Sequence, residues 1–128
     1  MQNKGINDVA LLLARVLIGA LFIGGTVQKA VSPEDAAGLL RDWGLPGGLV
    51  WVALVFNAGA GVALWIGLQV RVTAVLLAGY CVVTSIFHLI PDDPWQMSIF
   101  VKNFAIAGGC LALSVAGSGR VAIRPDSR

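Results

Sequence analysis

The sequence predicts an all-α membrane protein: a transmembrane four-helix bundle, N-in/C-in, with a short interfacial helical segment between helices 1 and 2. Three observations predict it. Hydrophobic residues make up 57% of the 128 residues and charged residues only 12%, whereas soluble domains carry about a quarter charged residues. The apolar residues gather in four long blocks, each able to cross a hydrocarbon core about 30 Å thick at 1.5 Å per residue. The loop cations, finally, fall mostly on one side of those blocks, the cytoplasmic side by the positive-inside rule.

The expected spans are about 9–31, 47–68, 72–90 and 97–117 of a single transmembrane domain. The first follows Lys4 as a signal peptide would. It outruns the roughly 7–15 apolar residues of such a peptide, so it is read as a retained anchor. Ser32-Pro33-Glu34-Asp35 then has the form of a helix start, with proline in the first position and acids in the first turn. An amphipathic segment lying in the interface is expected there.

Pro46 opens the second span, which is free of charge, holds Asn57 near its centre and places Trp51 and Trp65 near its ends, where aromatic belts lie. The brief break Gln69-Val70-Arg71 makes spans two and three an antiparallel hairpin. The third span stops at Pro91-Asp92-Asp93-Pro94, and the fourth ends in Gly117-Ser118-Gly119 before a polar tail. Such blocks are too long and unbroken for barrel strands of about 9–11 alternating residues. Helices satisfy their backbone groups within lipid.

Lys4, Arg71, Arg120, Arg124 and Arg128 share one side, and Arg41 stands among Glu34, Asp35, Asp42, Asp92 and Asp93 on the other. Small residues four apart, Ala20 and Gly24, Asn57 and Gly61, Ala74 and Ala78, Ala105 and Gly109, are a helix-packing signal. Cys81 and Cys110 lie inside apolar stretches with no metal-ligand spacing and are read as small buried hydrophobes. The net charge of +2 includes no basic run to track phosphates, so nucleic-acid binding is set aside. No soluble-enzyme motif is present, and one histidine without a CxxC motif excludes a His-pair haem and a c-type attachment. Neither catalytic nor metal-ligating residues are expected.

Polar groups at membrane depth cost roughly 2.5–3.5 kcal/mol each on insertion scales when charged, so those that persist face the bundle interior or a wet cavity. Arg15, Phe22 and Lys29 share one helical stripe with Gly19 and Thr26. Two readings of Arg15 and Lys29 stand open: snorkelling to head groups at opposite ends, or an interior role. His88, Lys102 and Asn103 share an outer depth with Gln28 and Lys29. They form either an interhelical hydrogen-bonding layer or a site for a polar head group such as a quinone carbonyl or an anion. Asn57 bonds across helices or adjoins Arg15 or a ligand. No carboxylate falls within the expected spans, so a buried arginine–carboxylate pair is not expected.

The chain resembles the DoxX family of small four-helix membrane proteins from Leu11 to about Ile123. The residues that carry this are ARVLIGALFIGGTVQKAVSP, IGLQVR, and KNFAIAGGCLAL with AGSGR, in that order and spacing. The resemblance implies Arg15, Lys29, His88, Lys102 and Asn103 as the family's polar positions. It also implies links with sulfur and quinone redox chemistry. The chain departs at Asn57, where members commonly carry a glutamate, so that carboxylate's chemistry does not carry over.

The expected function is an inner-membrane subunit of this type, binding a lipophilic ligand such as quinone through Arg15, Lys29, Asn57, His88, Lys102 and Asn103 in support of a redox partner. It would be at most one subunit of a membrane oxidoreductase, with no intrinsic cofactor. The other readings are a structural accessory or assembly subunit without ligand chemistry and, third, a small-solute transporter. The expected partners are the lipid bilayer and other membrane subunits or further copies of the chain.

Overall fold

The computed structural model describes residues 4–124, with the side chain of Lys4 excepted; Arg128 and the two chain ends lie outside the described residues. Five α-helices follow in order: α1 Lys4–Val31, α2 Pro33–Asp42, α3 Leu49–Ile66, α4 Val70–Ser85 and α5 Pro94–Ala116, with a 3-10 turn Ile86–His88 extending α4. Four of them, α1, α3, α4 with its turn, and α5, are long and apolar enough to cross a membrane. The expected bundle and its extra segment are therefore present.

Helix boundaries differ from expectation where polar residues start a helix. α5 begins at Pro94, before the expected Met97, because the Asp93 carboxylate accepts from the backbone N–H groups of Trp95 and Gln96 while proline takes the first helical position. The Asp-Pro pair that closes one span thus opens the next. α1 begins earlier than Val9, which brings Asp8 inside a membrane-length helix. α2 starts at Pro33 with Glu34 and Asp35 in its first turn, and Arg41 in its last turn pairs with Glu34 at 3.2 Å.

The bundle is built from two tight pairs, α1 on α3 and α4 on α5, with sparser contact between pairs. Phe22, Ala60, Leu64, Val70, Ala74, Leu77, Ala78, Cys81, Ala107, Cys110 and Leu113 form the apolar core. Both cysteines are free and buried. Among the small-residue pairs, Ala74 with Ala78 is buried in the core, whereas Ala20 and Gly24 are exposed. Asn57 and Gly61 are buried too, and α1 and α3 come close at Gly19 and Gly61: a Cβ on either would stand 3.1 Å from the other's carbonyl oxygen.

The alternation of helix direction puts the start of α1, the Gly67–Gln69 connection and the segment after α5 at one end of the bundle, here the terminal end. The opposite end carries α2, which packs on α1, α3 and the 3-10 turn. Trp43, just after α2, meets Phe87 edge-on at 6.0 Å.

Candidate functional site

Two groups of polar residues lie in the bundle, and they are bonded very differently. At the terminal end Arg15 is 1% exposed. Its Nε donates to the Leu64 carbonyl at 2.8 Å and its Nη2 to that of Trp65 at 3.2 Å. Its Nη1 donates to the carbonyls of Ser118, at 2.9 Å, and Val121. An α-helix leaves its last four carbonyls without intrahelical partners, at the negative end of its dipole. For α3 all four are occupied: Ala63 accepts from Gly67, Leu64 and Trp65 from Arg15, and Ile66 from the Ile123 N–H.

Gly67, at φ +78°, makes the left-handed turn that permits this, and a Cβ there would run into Ala122 and the Arg15 guanidinium. Arg71, in the first turn of α4, does the same for α5: its Nη1 donates to Val115 at 2.6 Å and Ser114 at 3.4 Å. Asp8, 7% exposed, accepts from the Arg120 backbone N–H at 3.1 Å and faces its guanidinium at 3.8 Å. A carboxylate inside a span paired with arginine was not expected, because α1 was expected to start only at Val9. Arg15 therefore neither snorkels outward nor adjoins Asn57. It joins α1, α3 and the tail.

The second group lies toward the α2 end. A cavity of about 760 Å³ is lined by Lys29, Asn57, His88, Lys102 and Asn103, with Tyr80 and Phe22 among its apolar surroundings. Five of the six expected residues thus meet on one space; Arg15, about four turns below Lys29 on the same helix or roughly 21 Å away, does not. Asp35, Ala36, Leu39 and Leu40 of α2 roof the cavity. Its wall includes Leu21 and Gly24 of α1 and Lys102 of α5, which are also exposed on the bundle surface, so it opens sideways between α1 and α5. Those two helices approach each other lower down, at Ile18 and Gly109.

Lys29 turns inward rather than toward the head groups. Its Nζ stands 3.7 Å, and the Asn57 Nδ2 3.4 Å, from the point where a Cβ on Gly25 would be, so both reach the same spot on the α1 backbone. Asn57 is 2% exposed, and its amide lies beside the Tyr80 hydroxyl. Its Oδ1 is buried with no hydrogen-bond partner. His88 Nδ1 is 2.6 Å from Gln96 Oε1, an acceptor, which fixes the proton on Nδ1 and leaves Nε2 as an acceptor in the neutral ring. Among the described residues, no side-chain hydrogen bond or ion pair joins Lys29, Lys102 or Asn103 to another protein group. Tyr80 and Gln96 were not singled out from the sequence. Tyr80 carries no pattern there, but its ring packs between Phe22, at 6.2 Å, and Phe56, at 5.1 Å.

The DoxX family model matches residues 10–89, which run from α1 past the 3-10 turn and hold Arg15, Lys29, Asn57 and His88. The chain belongs to the DoxX family. It is also 31% identical over 121 residues to the inner membrane protein YqjF of Escherichia coli (strain K12), covering 94% of this chain and 93% of that protein. No solved structure matches. This DoxX protein is a multi-pass protein of the bacterial inner membrane, in contact with the lipid bilayer.

Proposed function

We propose that this DoxX protein binds a lipophilic ligand with a polar head group, of the quinone class, in the cavity beneath α2, in support of a redox partner that exchanges electrons with that ligand. The observation that carries this reading is the contrast between the two polar groups. At the terminal end Arg15, Arg71 and Asp8 are bonded to protein groups, as a structural layer requires. In the cavity Lys29, Lys102, Asn103 and the Asn57 oxygen are not. A layer whose task was to tie the bundle together would bond within itself, since polar groups in an apolar medium gain most from one another.

The volume and the lining support the same reading. Small-molecule sites are typically about 300–1,000 Å³, mostly apolar, with a few convergent polar groups. The sideways opening between α1 and α5 suits a ligand that arrives through the bilayer, its head group meeting Lys29 and Asn57 and its tail leaving between the helices. The resemblance to a family linked with quinone redox chemistry agrees. In this proposal the terminal end, with Arg71, Arg120 and Arg124, faces the cytoplasm.

A ligand that binds only the folded form stabilises it by RT ln(1 + [L]/Kd), about 2.7 kcal/mol at a hundredfold excess over Kd. A short-chain ubiquinone analogue should therefore raise the thermal transition of the purified protein in detergent. Lys29→Met and His88→Ala should lose that gain while melting as before without ligand. An unchanged transition across the concentration series, with no quinone extracted from the purified protein, would leave the accessory-subunit reading in its place.

A further inference from the structure

Resting on the quinone-class reading above, the charge balance of the cavity beneath α2 narrows the head group further. Its lining holds two lysines, Lys29 from α1 and Lys102 from α5, one histidine, His88, and one acid, Asp35. The histidine is neutral or positive, never negative. Asp35 is exposed in the first turn of α2, where the positive end of the helix dipole already favours a carboxylate. Two neighbouring acids are engaged elsewhere: Glu34 pairs with Arg41 at 3.2 Å, and Asp93 accepts from the backbone at the start of α5. Asp42 and Asp92 are not part of the lining. Among the described residues no ion pair reaches Lys29 or Lys102.

An ammonium in apolar surroundings needs a counter-charge and not only a hydrogen-bond acceptor. The Lys29 Nζ stands 3.7 Å from where a Cβ on Gly25 would be, one turn deeper than its own Cα, so it points into the bundle and away from the end of α1. The Asn57 amide beside it is neutral and leaves that charge uncompensated, as the carbonyl of a quinone would. Lys102 enters from α5, about two turns inside its start. The two cations thus line one space from the two helices that flank its opening to the bilayer. An anionic head group entering there neutralises what the protein does not, while its tail stays between the helices.

We infer that the cavity selects an amphiphile with an anionic head group, within the quinone class a hydroxyquinone in its ionised form, with Lys29 and Lys102 supplying the counter-charge. The hydroxyl of a hydroxynaphthoquinone is conjugated through the ring to a carbonyl, as the O–H of a carboxylic acid is to its C=O, and it ionises below neutral pH. Its methyl ether keeps the ring and the tail and has no charge. A fatty-acid carboxylate presents the same charge on a tail without the ring.

Affinities of a hydroxynaphthoquinone with a short alkyl tail, of its methyl ether and of laurate are measured near neutral pH for the whole protein in phosphatidylcholine nanodiscs, relative to empty nanodiscs. Expected is an affinity for the hydroxyl form about tenfold or more above that for the ether. Lys29→Met and Lys102→Met should each cut that preference, and together bring the two within about twofold. Arg41→Met, which removes the same charge from the same end outside the cavity, should leave it unchanged. The ligand-free melting of each variant shows that it folds. Equal affinities in the wild-type protein, a tighter ether, or a preference that survives loss of both lysines would each overturn the inference while leaving a quinone-class site intact. Laurate bound through the two lysines, with neither naphthoquinone bound, would keep the anionic head group and overturn the quinone class. Binding of none of the three would overturn the proposed function and this inference with it.

Discussion

Replacing Arg15 with alanine is expected to destabilise the folded bundle by about 3 kcal/mol or more, the largest effect of any substitution considered. The substitution strips donors from the carbonyls of Leu64 and Trp65 at the end of α3, and each orphaned buried carbonyl costs roughly 1–3 kcal/mol. It also removes the link to Ser118 and Val121 that holds the tail across the bundle. The cost of placing a guanidinium in the membrane does not offset this. In the unfolded reference state α1 is still inserted, and Arg15 meets that cost there without four carbonyl partners. Arg15→Lys should recover only part of the loss, because one ammonium cannot span carbonyls on α3 and on the tail together. Denaturation in mixed micelles reads the stability. Faster tryptic cleavage after Arg120 reads the release of the tail. An alanine variant within about 0.5 kcal/mol of the parent would show that the carbonyls find other partners.

Gly61→Val is expected to cost about 1–3 kcal/mol through overpacking. A Cβ at Gly61 would stand 2.8 Å from the Ile23 side chain and 3.1 Å from the Gly19 carbonyl oxygen. Ile23 can turn aside, but the backbone of α1 cannot do so without leaving α3. The second consequence reaches the cavity. Asn57 lies one turn from Gly61 on α3 and Lys29 one turn from Gly25 on α1, so prying the pair apart separates the two deepest polar groups. Ligand affinity should fall by more than the stability loss alone accounts for, measured at a temperature where the variant is fully folded. A variant that melts lower yet binds with parental affinity would show that the cavity does not depend on the α1–α3 distance.

The architecture is legible in the sequence because membrane burial leaves coarse traces: four long apolar blocks, prolines beside acids between them, and cations on one side. Five of the six candidate site residues are legible for the same reason. A polar residue such as Asn57 or Lys29 inside an apolar helix is costly, so its position alone indicates an interior role. What separates Arg15 from the others is not its own position, since it shares a helical stripe with Lys29. It is the location of carbonyl acceptors on α3 and on a tail more than a hundred residues away in the chain. Helix C-termini carry no side-chain signature of needing a donor, and a partner supplied from elsewhere in the chain cannot be read locally. The buried Asp8 was hidden by a related cause. Hydropathy starts the helix at the first apolar residue, whereas the backbone starts it earlier and carries the acid inward to meet Arg120.

Whether the space beneath α2 holds a ligand is tested most directly by photolabelling the protein in native membranes with an azido-quinone and mapping the modified residues. Adducts are expected on the cavity-facing parts of α1, α4 and α5, around residues 21–29, 80–88 and 95–103, suppressed by excess unlabelled quinone. Adducts scattered over the outward faces, at Val52, Val75 and Leu111, and insensitive to competition, would contradict it.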